Sequence, residues 1–178
     1  MGESAVTKTL IAYHSRSGYT RRVAESLARR LRAEVDEIQV VGDRQGMLGY
    51  ARCALEALGE VTPAIRLPRR APAAYDLVVI GTPVWFWALS SPVRSYIMEE
   101  RRNFPRVAFF CTMGGSGAER AFATMAGLCG KAPIATLALT DAKIDAGAAD
   151  EVGAFLRALR GRRAAGGPRK RSAGGKRR

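Results

Sequence analysis

Cysteine and histidine are scarce: Cys53, Cys111 and Cys129 stand far apart with no C-x-x-C pair, and His14 is the one histidine. Such a set offers neither a disulfide framework nor zinc-ligand spacing, and it fits a reduced, cytoplasmic setting. No segment approaches the ~18 consecutive apolar residues of a membrane helix. The N-terminal stretch through His14 lacks the basic segment and apolar core of a signal peptide, so neither secretion nor membrane spanning is expected. No G-x-G-x-x-G follows the first apolar run, and Gly130-Lys131 lacks the following hydroxyl residue and the spacing of a P-loop. Gly114-Gly115-Ser116-Gly117-Ala118 approaches a nucleophile elbow but lacks its final glycine. Because His14 precedes it, the order of a serine hydrolase is reversed as well.

Acids are missing from the C-terminal end. The net charge is +13, yet Arg160 and the tail after it hold nine bases and no acid, which leaves 20 bases against 16 acids, or +4, for the rest. Residues 161–178 contain no large apolar side chain, cannot offset the entropy of ordering, and are expected to be a disordered basic tail behind one domain over residues 1–160. Weak tail-mediated binding of anions is one reading and a solvated appendage the other. With no aromatic interleaved to stack on bases, no specific nucleic-acid partner is expected.

What is present is organised around Thr9 to Leu31. An apolar run, Leu10-Ile11-Ala12-Tyr13, leads into Ser15-Arg16-Ser17-Gly18-Tyr19-Thr20 and then into Val23, Leu27 and Leu31 at helical spacing. Strand, tight loop and helix follow from that pattern. The loop gathers hydroxyls and free N–H groups at a helix N-terminus, where the dipole favours an anion such as phosphate. A helix cap that satisfies only its own backbone is the alternative.

Further along, Val35 to Val41 reads as an edge strand. Residues 42–74 are the least legible, with a helical stripe from Met47 to Leu58 that either covers the sheet or caps a ligand. Tyr75 to Gly81 has the near-continuous apolar character of a strand buried on both faces. It runs into Thr82-Pro83-Val84-Trp85-Phe86-Trp87, an aromatic stretch read as a loop. A helix is predicted over Pro92 to Met98 and a strand over Arg106 to Cys111. The glycine-rich loop Thr112-Met113-Gly114-Gly115-Ser116-Gly117 follows, then a helix from Ala118 to Leu128, a strand from Ile134 to Leu139 and a closing helix from Asp150 to Leu159.

Strands alternating with helices predict an α/β three-layer sandwich with right-handed crossovers, which brings the loops after strands one, three and four to a single rim. One loop suits an anion, one offers flat apolar faces and one offers accessible backbone N–H groups. FMN, with a phosphate at one end and a broad ring at the other, would use all three.

On these motifs the chain resembles the flavodoxin-like family over about residues 7–160. The resemblance implies a five-stranded parallel sheet of order 2-1-3-4-5. It also implies an FMN phosphate held at Ser15 to Thr20, and an isoalloxazine bracketed by Thr82 to Trp87 and Thr112 to Gly117. Trp85 or Trp87 would stack on the ring, while Thr82 and the Gly114–Gly117 N–H groups would meet its polar edge. Ala12 stands where a bulkier apolar residue is usual, and Tyr19 where Asn is common. The implied activity is electron transfer from NAD(P)H or a reductase to a quinone-like or other small acceptor. A non-enzymatic electron carrier is the alternative, and homodimerisation across the rim stays open. Carriers of this family are markedly acidic, whereas this domain is basic, which favours a reductase.

Overall fold

The computed structural model describes residues 7–41, 63–66 and 68–164. The helical stripe expected between Met47 and Leu58 lies outside the described residues.

The first unit is β1 (Thr9–Tyr13), α1 (Tyr19–Leu31) and β2 (Glu34–Glu37). A 3₁₀ turn, Pro72–Ala74, leads into β3 (Leu77–Trp85), β4 (Ala88–Leu89) and α2 (Ser91–Glu100). Then come β5 (Arg106–Met113), α3 (Ala118–Cys129), β6 (Thr136–Thr140), α4 (Asp141–Asp145) and α5 (Ala149–Ala164). Five strands pair in parallel in the order β2-β1-β3-β5-β6. This is the expected sheet, with the fourth and fifth predicted strands appearing as β5 and β6. The added strand is β4, which turns back antiparallel on the end of β3 through Val84↔Leu89 and Trp85↔Ala88.

The pleat sorts the apolar residues onto two faces. Ile11, Tyr13, Val79 and Phe110 point to one side and pack with Val23, Ala24 and Leu27 of α1 and Val152, Phe155 and Leu159 of α5. Leu10, Ala12, Val78, Ile80 and Phe109 point to the other, against Val93, Tyr96 and Ile97 of α2 and Met125 of α3. Helices on both faces explain why β1, β3 and β5 read as apolar runs without alternation. Each fully buried Phe or Leu contributes about 1.5–3 kcal/mol by leaving water, so the central strands hold the sheet. β2, at the edge, is only partly covered: Glu34 is exposed, Val35 and Glu37 are half-buried, and Asp36 is buried.

Several boundaries moved for physical reasons. Thr82 to Trp85, expected as loop, continue β3, because Thr82 and Pro83 pair with Cys111 and Thr112 on β5. β5 likewise runs on to Met113, since Cys111, Thr112 and Met113 pair with β6. α5 extends to Ala164, four residues into the stretch read as tail, while residues 165–178 lie outside the described residues. Among the described residues, no helix is long and apolar enough to cross a membrane.

Candidate functional site

The chain passes outward from β1 to β2 by way of α1 on one face, then returns to β3 and proceeds through α2 and α3 on the other. The reversal falls between β1 and β3. In open α/β sheets the crevice beyond the carboxyl ends of the strands at such a reversal is where ligands bind. The segments leaving β1, β3 and β5 all emerge there.

Gly18 caps α1 in the left-handed region, with φ 95° and no side-chain cap. A Cβ built on it would meet nothing within 4 Å, so the hollow in front of the helix is open and the constraint on this glycine is conformational. The Arg21 N–H donates to Ser15 Oγ at 3.2 Å, and the Arg22 N–H donates to the Gly18 carbonyl. The Tyr19 and Thr20 amides stand at the end of the helix, where no intrahelical acceptor exists. Ser17 and Arg16 are exposed beside them. The Arg21 guanidinium is occupied elsewhere, donating to both carboxylate oxygens of Glu37 at 2.7 and 3.0 Å.

Tyr19 and Thr20 contribute backbone to this hollow and send their side chains away. The Tyr19 hydroxyl donates to Asp145 on α4 at 3.2 Å, and the Arg22 guanidinium lies over its ring. Thr20 is buried, its hydroxyl 2.8 Å from that of Thr112. As the second helical residue on the buried face of α1, Thr20 thereby joins the segment after β1 to Thr112 at the end of β5.

The aromatic segment is a hairpin. Trp85 and Ala88 pair across a two-residue turn in which Phe86 and Trp87 both have positive φ, 49° and 59°. Such turns favour Asn-Gly, because a Cβ is strained in the left-handed region. Here two large side chains accept that strain while remaining 44% and 60% exposed. The turn's Trp87 Nε1–H donates to Ser116 Oγ at 2.8 Å. Half-buried Trp85 meets the edge of His14, with ring centroids 5.8 Å apart and planes at 89°. His14 is itself oriented by its Nδ1–H, which donates to the Ile38 carbonyl at 2.9 Å.

Thr82 and Pro83 play a different part. Both are buried, and the Thr82 hydroxyl contacts Ser90 Oγ at 2.9 Å and the Pro83 carbonyl at 2.9 Å. The Thr82 side chain stitches β3 to the start of α2, because its strand position faces the interior. Ser90, which carries no motif of its own, is the partner that sequence reading missed.

The third loop is open. Gly114, Gly115 and Ser116 are exposed, and a Cβ on either of the two glycines would meet nothing within 4 Å. Gly117 differs: with φ 108°, its Cβ would fall 2.8 Å from the Trp87 Cα and 2.9 Å from Val84 Cγ1, so only glycine lets this loop press against the hairpin. Met113 is half-buried at the end of β5.

The three segments are thus tied pairwise: His14 to Trp85, Trp87 to Ser116, and Thr20 to Thr112. The result is a fixed rim with helix-terminal amides and hydroxyls on one side, aromatic faces in the middle and unencumbered glycine backbone opposite. A hollow of about 250 Å³, lined by Arg22, Val23, Arg29, Leu139 and Ile144 among others, lies between α1 and the β6–α5 side.

A family model described as flavodoxin matches residues 8–150. Among solved structures, the chain is similar to a flavoprotein in complex with FMN from Lactobacillus acidophilus NCFM, with 26% identity, 78% of this chain and 97% of that one covered, and a TM-score of 0.66. It is also similar in fold to a protein from Bacteroides eggerthii DSM 20697, with 21% identity, coverage of 86% and 96%, and a TM-score of 0.70. The two-electron reduced flavodoxin of Megasphaera elsdenii matches at 17% identity, with coverage of 84% and 96% and a TM-score of 0.54. These last two likenesses speak for the fold. No curated protein matches the chain.

Proposed function

The chain belongs to the flavodoxin family, and from that premise we propose that it binds FMN at the three-segment rim and acts as an FMN-dependent oxidoreductase. Electrons pass from a reduced nicotinamide or a protein donor to a quinone-like or other small acceptor. The observation that supports this reading is the pairwise tie of the segments after β1, β3 and β5, which holds a helix N-terminus, exposed aromatic faces and bare glycine backbone along one rim.

The residues present fit the group. Open space in front of Gly18, with Ser15 and Ser17 beside the first-turn amides, suits a phosphomonoester. Open space above Gly114 and Gly115 lets their N–H groups approach the polar edge of a flat ring. Trp85 and Trp87 supply the stacking surface, and Phe86 shields it from water. Bound FMN supplies hydride and electron transfer, while the protein supplies position and surroundings. The +4 charge of the chain before Arg160 favours an enzyme taking anionic nicotinamide over a carrier that docks on basic partners.

Visible absorbance during titration with FMN and with riboflavin tests the site. FMN should bind at least about tenfold more tightly than riboflavin, the difference being charge-assisted hydrogen bonds to the phosphate. Ser17→Ala should narrow that gap while leaving riboflavin unchanged. Equal affinity for the two flavins, or none for either, would reject the phosphate cradle. With FMN bound, steady NAD(P)H oxidation in the presence of a quinone supports the enzyme. Reversible reduction without turnover would instead assign a carrier.

A further inference from the structure

The end of the molecule opposite the flavin rim carries a second built feature. A pocket of about 160 Å³ opens where the strands begin, lined by Thr7, Thr9 and Leu77 and by four arginines: Arg30, Arg32, Arg106 and Arg160. The arginines come from four places in the fold: the last turn of α1, its left-handed cap, the first residue of β5 and the last third of α5. Leu31 and Leu159 complete the lining, and no Asp or Glu is part of it. Asp76, adjacent to Leu77, is turned to the Lys8 N–H at 2.8 Å. The Arg106 Nε–H donates to the Asp76 backbone carbonyl at 3.4 Å.

A helix dipole accounts for Arg30, since cations complement the C-terminal carbonyls of α1. It does not account for Arg106 and Arg160 converging on the same hollow. Bringing like charges together costs free energy, and among the lining residues no carboxylate offsets it. An anion would. Guanidinium forks match phosphate oxygens in shape and charge, and Arg30, Arg32 and Arg160 are exposed and able to turn toward one.

We infer that this pocket is a second anion site, one that takes phosphate groups and is separate from the flavin phosphate cradle by the length of α1, about 20 Å at the usual rise of a helix. Free polyphosphates and nucleic-acid backbones present the same chemistry to it. The pocket holds no aromatic on which a base could stack, so recognition is of phosphate and not of sequence.

The test uses the full chain with two probes, inorganic tripolyphosphate by calorimetry and a fluorescein-labelled oligothymidylate by anisotropy. Arg32→Glu/Arg160→Glu should weaken binding by about tenfold or more, as expected from losing two charge-assisted contacts. Arg102→Glu/Arg120→Glu, which changes two exposed arginines elsewhere and alters net charge equally, should change it less than about twofold. Loss with tripolyphosphate alone assigns a small phosphorylated ligand. Loss with the oligonucleotide assigns a backbone. Equal losses in the two double variants, or no binding of either probe by the wild type, would overturn the site. Arg160→Gln, a milder change on the exposed side of α5, repeats the measurement at about threefold amplitude if the reversal variant does not fold.

Discussion

The hydroxyls of Thr20 and Thr112 meet at 2.8 Å beneath the rim, both side chains buried, so the segment after β1 is fastened to the end of β5 by one hydrogen bond shielded from water. Replacing Thr112 by Val leaves the Thr20 hydroxyl buried without that partner, at a cost of about 1–3 kcal/mol. Replacing both should cost less than the sum of the single changes. Urea denaturation of wild type, Thr20→Val, Thr112→Val and the double variant measures the coupling. Strict additivity would show that the pair does not fasten the two segments.

The turn at Phe86 and Trp87 should respond in the opposite direction. Two large residues with positive φ store strain of about 1–3 kcal/mol each. Phe86→Asn/Trp87→Gly replaces them with the residues that such a turn favours. The unliganded variant should melt higher than wild type, even though the Trp87 to Ser116 hydrogen bond is lost. Flavin affinity should fall in the same variant, because the exposed ring faces go with the strain. A variant that melts lower would mean that the aromatic contacts outweigh the turn geometry.

The sequence carried the parallel sheet and the three rim segments because those features are written in local pattern: apolar runs for strands buried on both faces, hydroxyl and glycine clusters at helix starts. The hairpin was not legible. Its signal is normally Asn-Gly between the strands, and Phe86-Trp87 is close to the reverse of that chemistry, so β4 was missed and Thr82 to Trp85 read as loop. Side-chain direction was hidden for a related reason. The helix face of Thr20 and the strand parity of Thr82 bury both hydroxyls, which meet those of Thr112 and Ser90. Those partners lie 92 and 8 residues away, and no local rule reveals them.

Gly81 is fixed by a packing requirement. It sits in the middle of β3 opposite Phe110, and a Cβ there would fall 2.0 Å from the Phe110 ring. Gly81→Ala should destabilise the fold by at least about 1–3 kcal/mol through overpacking. Adding Phe110→Leu should recover part of that loss, although Phe110→Leu alone removes buried ring surface. Thermal melts of the three variants decide it: the double variant should be more stable than the additive expectation, and an additive result would place the cost in backbone strain.

The clamp at the start of α1 should make one end of the site sensitive to pH. Asp145 accepts from Arg22 Nη1–H at 2.8 Å and from the Tyr19 hydroxyl at 3.2 Å. The hydrogen bond from Arg22 holds the Asp145 carboxyl below its ordinary value, and the hydrogen bond to Asp145 holds the Tyr19 hydroxyl above its own. A depressed carboxyl favours the folded state above its unfolded value of about 3.9, and that contribution disappears as the pH falls through the folded value. A raised phenol works in the other sense: its contribution is complete below about 10 and disappears as the pH rises through the folded value. Since both groups are on the surface, salt should shrink both effects. Asp145→Asn should therefore return the Tyr19 phenolate titration, followed by ultraviolet absorbance against a Tyr19→Phe reference, toward its ordinary position. It should also remove part of the acid limb of a stability profile. A Tyr19 titration unmoved by Asp145→Asn would show that burial and the neighbouring Asp141, the lesser causes, set it instead.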